Sequence, residues 1–320
     1  MATIIETREP MAGAALLFLE SLDRGGREAT LHPLVRDQHR DWHYTPREGR
    51  PGLPLKRMNA EQRDLVFGLL ASALSDQGLK RTRSIITLEG ILGRLTNRPD
   101  FRDPENYALA IFGDPAGDRP WAWRFEGHHV SLTFTIAPGL GVAVTPAFFG
   151  ANPAKVPAGH DHAGMRVLAV EQDLGLALLH DLSTEQQQSA ILQPQSFRDI
   201  LTGPGREDSL RQPQGLALAA MTPAQRDQTL RLIEAYVHNM RTDLAEQELR
   251  ALHEAGPEKL HFAWAGPASP GTCHYYRLHG PTMLLEYDNT EPNHTHTVWH
   301  NPRDHFGEDL LRRHRETAHP

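Results

Sequence analysis

Residues 274–300 read His274-Tyr-Tyr-Arg-Leu-His279-Gly-Pro-Thr-Met283-Leu-Leu-Glu286-Tyr-Asp288-Asn-Thr-Glu-Pro-Asn-His294-Thr-His296-Thr-Val-Trp-His300. Three runs rich in aromatic, aliphatic and β-branched residues stand out: His274–His279, Met283–Asp288 and His294–His300. The residues between them carry Gly280, Pro281 and Pro292, which punctuate strands rather than extend them. Connections this short cannot return a chain to a parallel neighbour, so the runs predict antiparallel strands. Working outward, Lys259–Trp264 precedes them as a fourth strand. A second group lies upstream at Tyr107–Phe112, Trp121–Phe125, His128–Ile136 and Val142–Thr145.

Helical patterns surround both groups. They cover Glu9–Gly25, Asn59 to about Ser75, Ile85–Leu95, Ala163–Leu192 with a break at Asp181, Pro223–Met240, Asp243–Ala255 and Phe306–Arg315. Gly25-Gly26 and Gly78 are read as stops for the first two. The order is helices, strands, helices, strands, helix. It predicts an α+β fold, with one central antiparallel or mixed sheet built from both strand groups and flanked by helices. Residues 1–57 read as an N-terminal helix and an irregular wrapping segment, and 58–320 as one main α+β domain without a linker.

Asn59-Ala-Glu-Gln62, Ser183-Thr-Glu-Gln186 and Thr222-Pro-Ala-Gln225 each place a capping side chain three residues before a glutamine. Each is a capping-box signature for a helix start. Because the intervals between the three differ, the similarity is read as convergent cap chemistry rather than an internal repeat.

The chain has 320 residues, 39% of them hydrophobic and 23% charged, which is ordinary for a globular protein and excludes general disorder. The net charge of −7 argues against a dedicated nucleic-acid binder, which needs a concentrated basic surface. The single cysteine, Cys273, excludes an internal disulfide framework and multi-cysteine metal sites, and reads as a buried, inert thiol. No apolar run is long enough to span a membrane. The apolar run Met11–Leu19 is preceded by Glu6 and Glu9 rather than by a basic leader, so the protein reads as cytoplasmic. Its partner is read as a small-molecule substrate, and no oligomeric seam is visible.

Nineteen histidines remain to be explained, nine of them in the last 60 residues. Strand side chains alternate faces, so His294, His296, Val298 and His300 share one. Histidines two apart stand about 6.6 Å apart along a strand and can converge on one ion, whereas His296 and His300 are about 13 Å apart. A catalytic zinc site needs a third ligand. Gly127-His128-His129 opens a strand in the upstream group, with His128 on an apolar face and His129 on a polar one beside Ser131 and Thr133. His129 is therefore the expected third ligand, and His128 a core histidine or a group supporting the ligands. Glu286 and Asp288 share a strand face and are candidates for general base, ligand or orienter of a ligand imidazole.

Near the end, Asp304 can cap a helix on which Asp309 and Arg313 are four residues apart, a usual surface ion pair. The cluster Lys80-Arg81-Thr-Arg83 reads as a solvated helix end, and Trp121, Trp123, Trp264 and Trp299 read as core.

Gly127-His128-His129, Phe262-Ala-Trp264-Ala-Gly266, Glu286-Tyr-Asp288-Asn289, His294-Thr-His296 and Asp304-His-Phe-Gly307-Glu-Asp309-Leu-Leu-Arg-Arg-His314 form an ordered set. Together they resemble the family catalogued as domain of unknown function 3500, over roughly Met58 to His314. The resemblance implies a single-domain protein with a histidine signature near its end and supplies no activity. It also sets His300 apart, since an arginine is more usual there.

The expected chemistry is that of a metal-dependent enzyme. His129, His294 and His296 would hold one divalent ion, zinc first and copper or iron as alternatives. Glu286, Asp288 and His128 would be the catalytic groups around an activated water. Hydrolysis comes first because it needs only this machinery. A copper or non-haem iron oxidase or oxygenase is the first alternative, and a non-catalytic small-ligand-binding protein the second.

Overall fold

Interrupted apolar periodicity and short turns produce many small elements. In chain order they are helices α1 (Ile5–Glu20) and α2 (Arg24–Thr30), strand β1 (Leu31–His32), α3 (Arg36–Arg40), β2 (Leu53–Pro54), α4 (Ala60–Ala73) and α5 (Asp76–Leu95). Then come β3 (Ala108–Phe112), β4 (Trp121–Gly127), β5 (Val130–Ala137), β6 (Gly141–Ala143), β7 (Ala147–Ala151), α6 (Ala169–Asp181) and α7 (Thr184–Ala190). The chain continues with β8 (Ile191–Gln193), β9 (Leu216–Ala217), α8 (Pro223–Val237), α9 (Thr242–Ala255), β10 (His261–Ala265), β11 (Tyr275–His279), β12 (Leu284–Glu291), β13 (His294–His300) and α10 (Glu308–Ala318). The computed structural model describes residues 5–269 and 271–318. The fold is α+β, with a thirteen-stranded mixed sheet flanked by helices, as the two strand groups led us to expect.

Packing divides the chain into two compact units. The first holds the described residues up to Ala147, then Asn239–Gln247 and those from Asp304 onward. The second holds Phe148–His238 and Glu248–Arg303.

In the first unit the strand order is β1-β3-β4-β5, with β2 beside β3 and β6 beside β5. The β1–β3 pair is parallel, while β2–β3, β3–β4, β4–β5 and β5–β6 are antiparallel. The strands are buried on both faces, which suits their near-continuous apolar runs. Trp123 stacks on its cross-strand partner Phe134 with ring centroids 4.3 Å apart. Helix α1 packs on α4 and buries Met11, Ala15, Phe18 and Leu19, one face of a helix.

In the second unit the order is β7-β13-β12-β11-β10-β8, with β9 beside β10. The β8–β10 pair is parallel, and β9–β10, β10–β11, β11–β12 and β12–β13 are antiparallel. One face carries a stack of aromatic rings: Trp264 lies 4.7 Å from His274, His274 5.3 Å from Tyr287, and Tyr287 5.2 Å from Tyr276. The other face carries Glu286 and Asp288 of β12.

The two units repeat one topology. In chain order each has two helices, a short strand, a long covering segment, a second short strand, a single 3-10 turn, a capped helix, a further helix and an antiparallel meander. In each, the first short strand pairs parallel, and the second antiparallel, with the meander's leading strand. Residues match at corresponding places. Met58-Asn-Ala-Glu-Gln62-Arg63-Asp64 opens α4 and Met221-Thr-Pro-Ala-Gln225-Arg226-Asp227 opens α8. Gly52 and Gly215 both take a left-handed φ, +105° and +101°. A Cβ there would stand 2.5 Å from the Leu109 carbonyl and 2.2 Å from the Phe262 carbonyl respectively. Arg124 and Arg277 are equally buried on β4 and β11, and a glycine stands three residues after each, Gly127 and Gly280. All three predicted capping boxes form. The first and third, read as convergent, occupy the same place in a duplicated architecture.

Several boundaries differ from expectation. Gly25-Gly26 does not end a helix but lies inside α2, where Asp23 accepts from the Gly26 N–H at 2.7 Å. Gly78 does not stop α4. It sits in the first turn of α5, capped by Ser75, where a Cβ would stand 2.1 Å from the Asn239 carbonyl. Arg81, expected at a solvated helix end, is buried. Asp304 does cap the last helix, accepting from the Asp309 and Leu310 N–H groups at 2.8 and 3.2 Å. Asp309, however, pairs with Arg312 rather than Arg313. The four strand tryptophans are core residues, whereas Cys273 is only partly buried.

Candidate metal centre

The histidines expected to open a strand instead form its turn. Gly127 and Val130 pair across β4 and β5, leaving His128 and His129 as a two-residue hairpin loop. His129 takes φ +64°, a left-handed conformation that histidine tolerates better than most residues. Gly127 is required by packing, since a Cβ there would lie 2.1 Å from the Tyr107 ring. The Tyr107 hydroxyl donates to the His128 carbonyl at 2.7 Å, and the His129 N–H donates to the Tyr44 carbonyl at 2.9 Å. The turn is thus fixed from both sides. The two imidazoles do not point to opposite faces, because a turn does not alternate like a strand. They stack, with centroids 3.7 Å apart.

His128 is buried and bonded through Nδ1 to the Glu89 carboxylate, with Arg102 Nη1 3.2 Å from its ring. Burial lowers its pKa, while Glu89 opposes that shift. Glu89 and Arg102 are partners that the sequence did not reveal, because they come from α5 and from the segment before β3.

In the second unit the predicted strand face forms. Asp288 stands opposite His296 and Glu286 opposite Val298 across β12–β13, with a register shift near the His294 end. The His294 and His296 rings meet edge to face at 4.6 Å, and Phe148 lies 5.4 Å from His296.

One ring nitrogen from each of His129, His294 and His296 lies within 4.8 Å of the others. His129 and His296 are buried and His294 is partly exposed. The cluster can therefore coordinate a metal ion. In tetrahedral zinc sites with Zn–N near 2.0–2.1 Å, ligand nitrogens stand about 3.4 Å apart, closer than the 4.8 Å limit that holds here. Imidazole is a ligand type common to several divalent transition metals.

Around His296 lie polar groups that orient its imidazole. Its Nδ1 is 3.1 Å from the Thr290 hydroxyl and 3.8 Å from Asp199. Thr290 in turn donates to Asp288 at 2.8 Å. Asp288 is fully buried, and desolvation pushes its pKa up to about 7 against the opposing hydrogen bond from Thr290. Ser196 adds a long contact to Asp288 at 3.5 Å. The sequence missed Thr290, Asp199 and Ser196. Asp199 and Ser196 arrive from the loop after β8, whose only local signal is its glycines and prolines.

Glu286 has a different setting. It accepts from the N–H groups of Leu201 and Thr202 at 2.7 and 2.9 Å, from the Thr202 hydroxyl, and from the Tyr275 hydroxyl at 2.6 Å. Both oxygens are engaged in holding the 200–202 segment to the sheet. His300 reinforces that anchor, its Nε2 lying 2.9 Å from the Thr202 carbonyl.

The two units carry different side chains at one equivalent place. The pairing Thr135–Ala143 across β5–β6 occupies the place of Asp288–His296 across β12–β13. One copy offers a hydroxyl and a methyl where the other offers a carboxylate and an imidazole.

Over residues 5–308 the chain matches the family model described as Protein of unknown function (DUF3500), and it belongs to that family. The match extends further toward the N-terminus than the motifs alone suggested. No curated protein and no solved structure matches the chain.

Proposed function

We propose that this protein is a metal-dependent enzyme acting on a small-molecule substrate, with one divalent ion held by His129, His294 and His296. The observation that carries the reading is the convergence of three ring nitrogens within 4.8 Å. A bound divalent ion would acidify a coordinated water and polarise a substrate oxygen. Hydrolysis is the reaction class that needs nothing further, with zinc as the first metal.

The chain's own residues take distinct parts in this account. With Asp288 ionised, the Thr290 hydroxyl gives its proton to Asp288 and accepts from His296 Nδ1–H. That fixes the tautomer and leaves the Nε2 lone pair of His296 for the ion. Asp288, held near neutrality by burial, is the proposed proton carrier. Glu286 is proposed as the residue that positions the 200–202 segment, and His128 as the stacked support of His129.

Oxidation by copper or non-haem iron is the second reading, favoured by an all-imidazole ligand set. The test is metal uptake by the apoprotein and by its His129→Ala and His296→Ala variants, with circular dichroism to follow the fold. Each variant should keep its spectrum and lose tight uptake. Unchanged uptake by both would overturn the site. Tight zinc loading with turnover of ester, amide or phosphoester substrates would support hydrolysis. Selective copper or iron loading with oxygen consumption would select the second reading.

A further inference from the structure

The first unit carries a cleft that contains none of the three clustered histidines. It has a volume of about 1110 Å³ and lies among β1, α3, the β3–β4 turn and α10. Five arginines line it, namely Arg36, Arg40, Arg119, Arg312 and Arg315, against two acids, Asp114 and Glu308. Its formal charge is therefore +3 in a chain whose net charge is −7. That local reversal of sign concentrates anions.

The arginines are not equally committed. Glu308 accepts from Arg36 at 3.0 Å and from Arg40 at 2.9 Å, so one carboxylate holds two guanidinium groups and leaves positive charge over. Arg312 is shared between Asp309 and Glu316. Arg119 and Arg315 make no hydrogen bond or ion pair among the described residues. Their forked donors are free for a carboxylate or phosphate. His32, which also lines the cleft, has a buried Nε2 without a hydrogen-bond partner. Leu34, Val35 and Leu311 supply an apolar wall, and Val35 is 45% exposed.

The duplication sharpens the contrast. The covering segment after β8 brings Ser196 and Asp199 toward Asp288 and His296. The covering segment after β1 brings His39 to Thr135, the residue in the place of Asp288, and carries Arg36 and Arg40 beside it. The same architectural element thus presents Asp199 in one copy and Arg36 and Arg40 in the other.

We propose that this cleft binds a small organic anion bearing two negative charges on an apolar body, such as an aryl phosphate or an aromatic dicarboxylate. The experiment is isothermal titration calorimetry at low ionic strength with phenyl phosphate and with phthalate, on the full chain. The wild type, Arg119→Ala/Arg315→Ala and His296→Ala are compared, with circular dichroism on each. Both arginines are exposed, so the double variant keeps its fold, and the single variants supply intermediate losses as a check. The expected result is saturable binding of at least one probe below about 1 mM, weakened about tenfold or more in the double variant and unchanged in His296→Ala. Selective binding of one probe identifies the head group. No saturable binding of either probe, a double variant that binds like the wild type, or loss confined to His296→Ala would overturn the proposal.

Discussion

Asp288 and His296 stand directly opposite each other across β12 and β13, and the Thr290 hydroxyl bridges them, 2.8 Å from the carboxylate and 3.1 Å from Nδ1. A threonine near the end of β12 thereby links a buried acid to a proposed ligand. Hydrogen-bond partners of ligand imidazoles commonly contribute 10- to 100-fold in metal affinity. Thr290→Val keeps the shape and removes the bridge. It should leave the fold intact and weaken zinc binding by about 10- to 100-fold, read by competition with a chromophoric chelator. Unchanged affinity would show that the bridge does not tune the ligand.

Glu286 separates anchoring from proton transfer. Glu286→Ala strands the Leu201 and Thr202 N–H groups and two buried hydroxyls, at a cost of about 3 kcal/mol, measurable by urea denaturation. Glu286→Gln keeps an acceptor oxygen and should recover part of that loss. If both variants were as stable as the wild type, the anchoring role would be wrong.

Gly127→Ala drives a methyl group into the Tyr107 ring, in a turn fixed on both sides. Overpacking of this kind costs about 1–3 kcal/mol and should displace the histidine turn. Denaturation should show the loss of stability, and zinc titration a matching loss of affinity.

Stability of the metal-free protein should fall as pH drops from 7.5 to 5. Burial, with Arg124 beside it, holds His39 down to about 3, and burial holds His274 and His279 down to about 4. These histidines stay neutral in the fold and take up protons only on unfolding. Their contribution is present above the ordinary histidine pKa near 6.5 and is lost as pH falls toward their folded values. Each accounts for up to about 1.4 kcal/mol per pH unit in that window. Asp288 and Asp304, both raised by burial, act in the opposite sense: their contribution is complete below the ordinary carboxylate range and is lost as pH rises through their folded values. His32, His43 and His128 are also lowered, so the histidines outweigh the two acids. Equal urea midpoints at the two pH values would contradict this balance.

Much of the fold was readable because strands and capped helices carry local signals. Alternation and short turns located both strand groups, and the asparagine, serine and threonine caps located three helix starts. Glycines misled where their purpose was close approach rather than termination: Gly78 abuts the Asn239 carbonyl, a contact no local pattern announces. Periodicity carried His128 and His129 one step too far, into a strand that begins at Val130. The His-x-His pair was legible from its two-residue spacing. Glu89, Asp199 and Ser196 were not, since each reaches its partner, His128, His296 and Asp288 respectively, across a long separation in sequence. The duplication left only a short echo, Met-x-x-x-Gln-Arg-Asp at Met58 and Met221, and became visible through strand pairing.

The central claim is that His129, His294 and His296 hold one metal ion, and elemental analysis tests it most directly. The protein should be purified untagged, without added metal and without an affinity matrix that leaches nickel. The account predicts close to one transition-metal ion per chain, lost in His296→Ala with the fold retained. Protein that carries no ion, and takes none up from zinc, copper, iron or manganese, would contradict it.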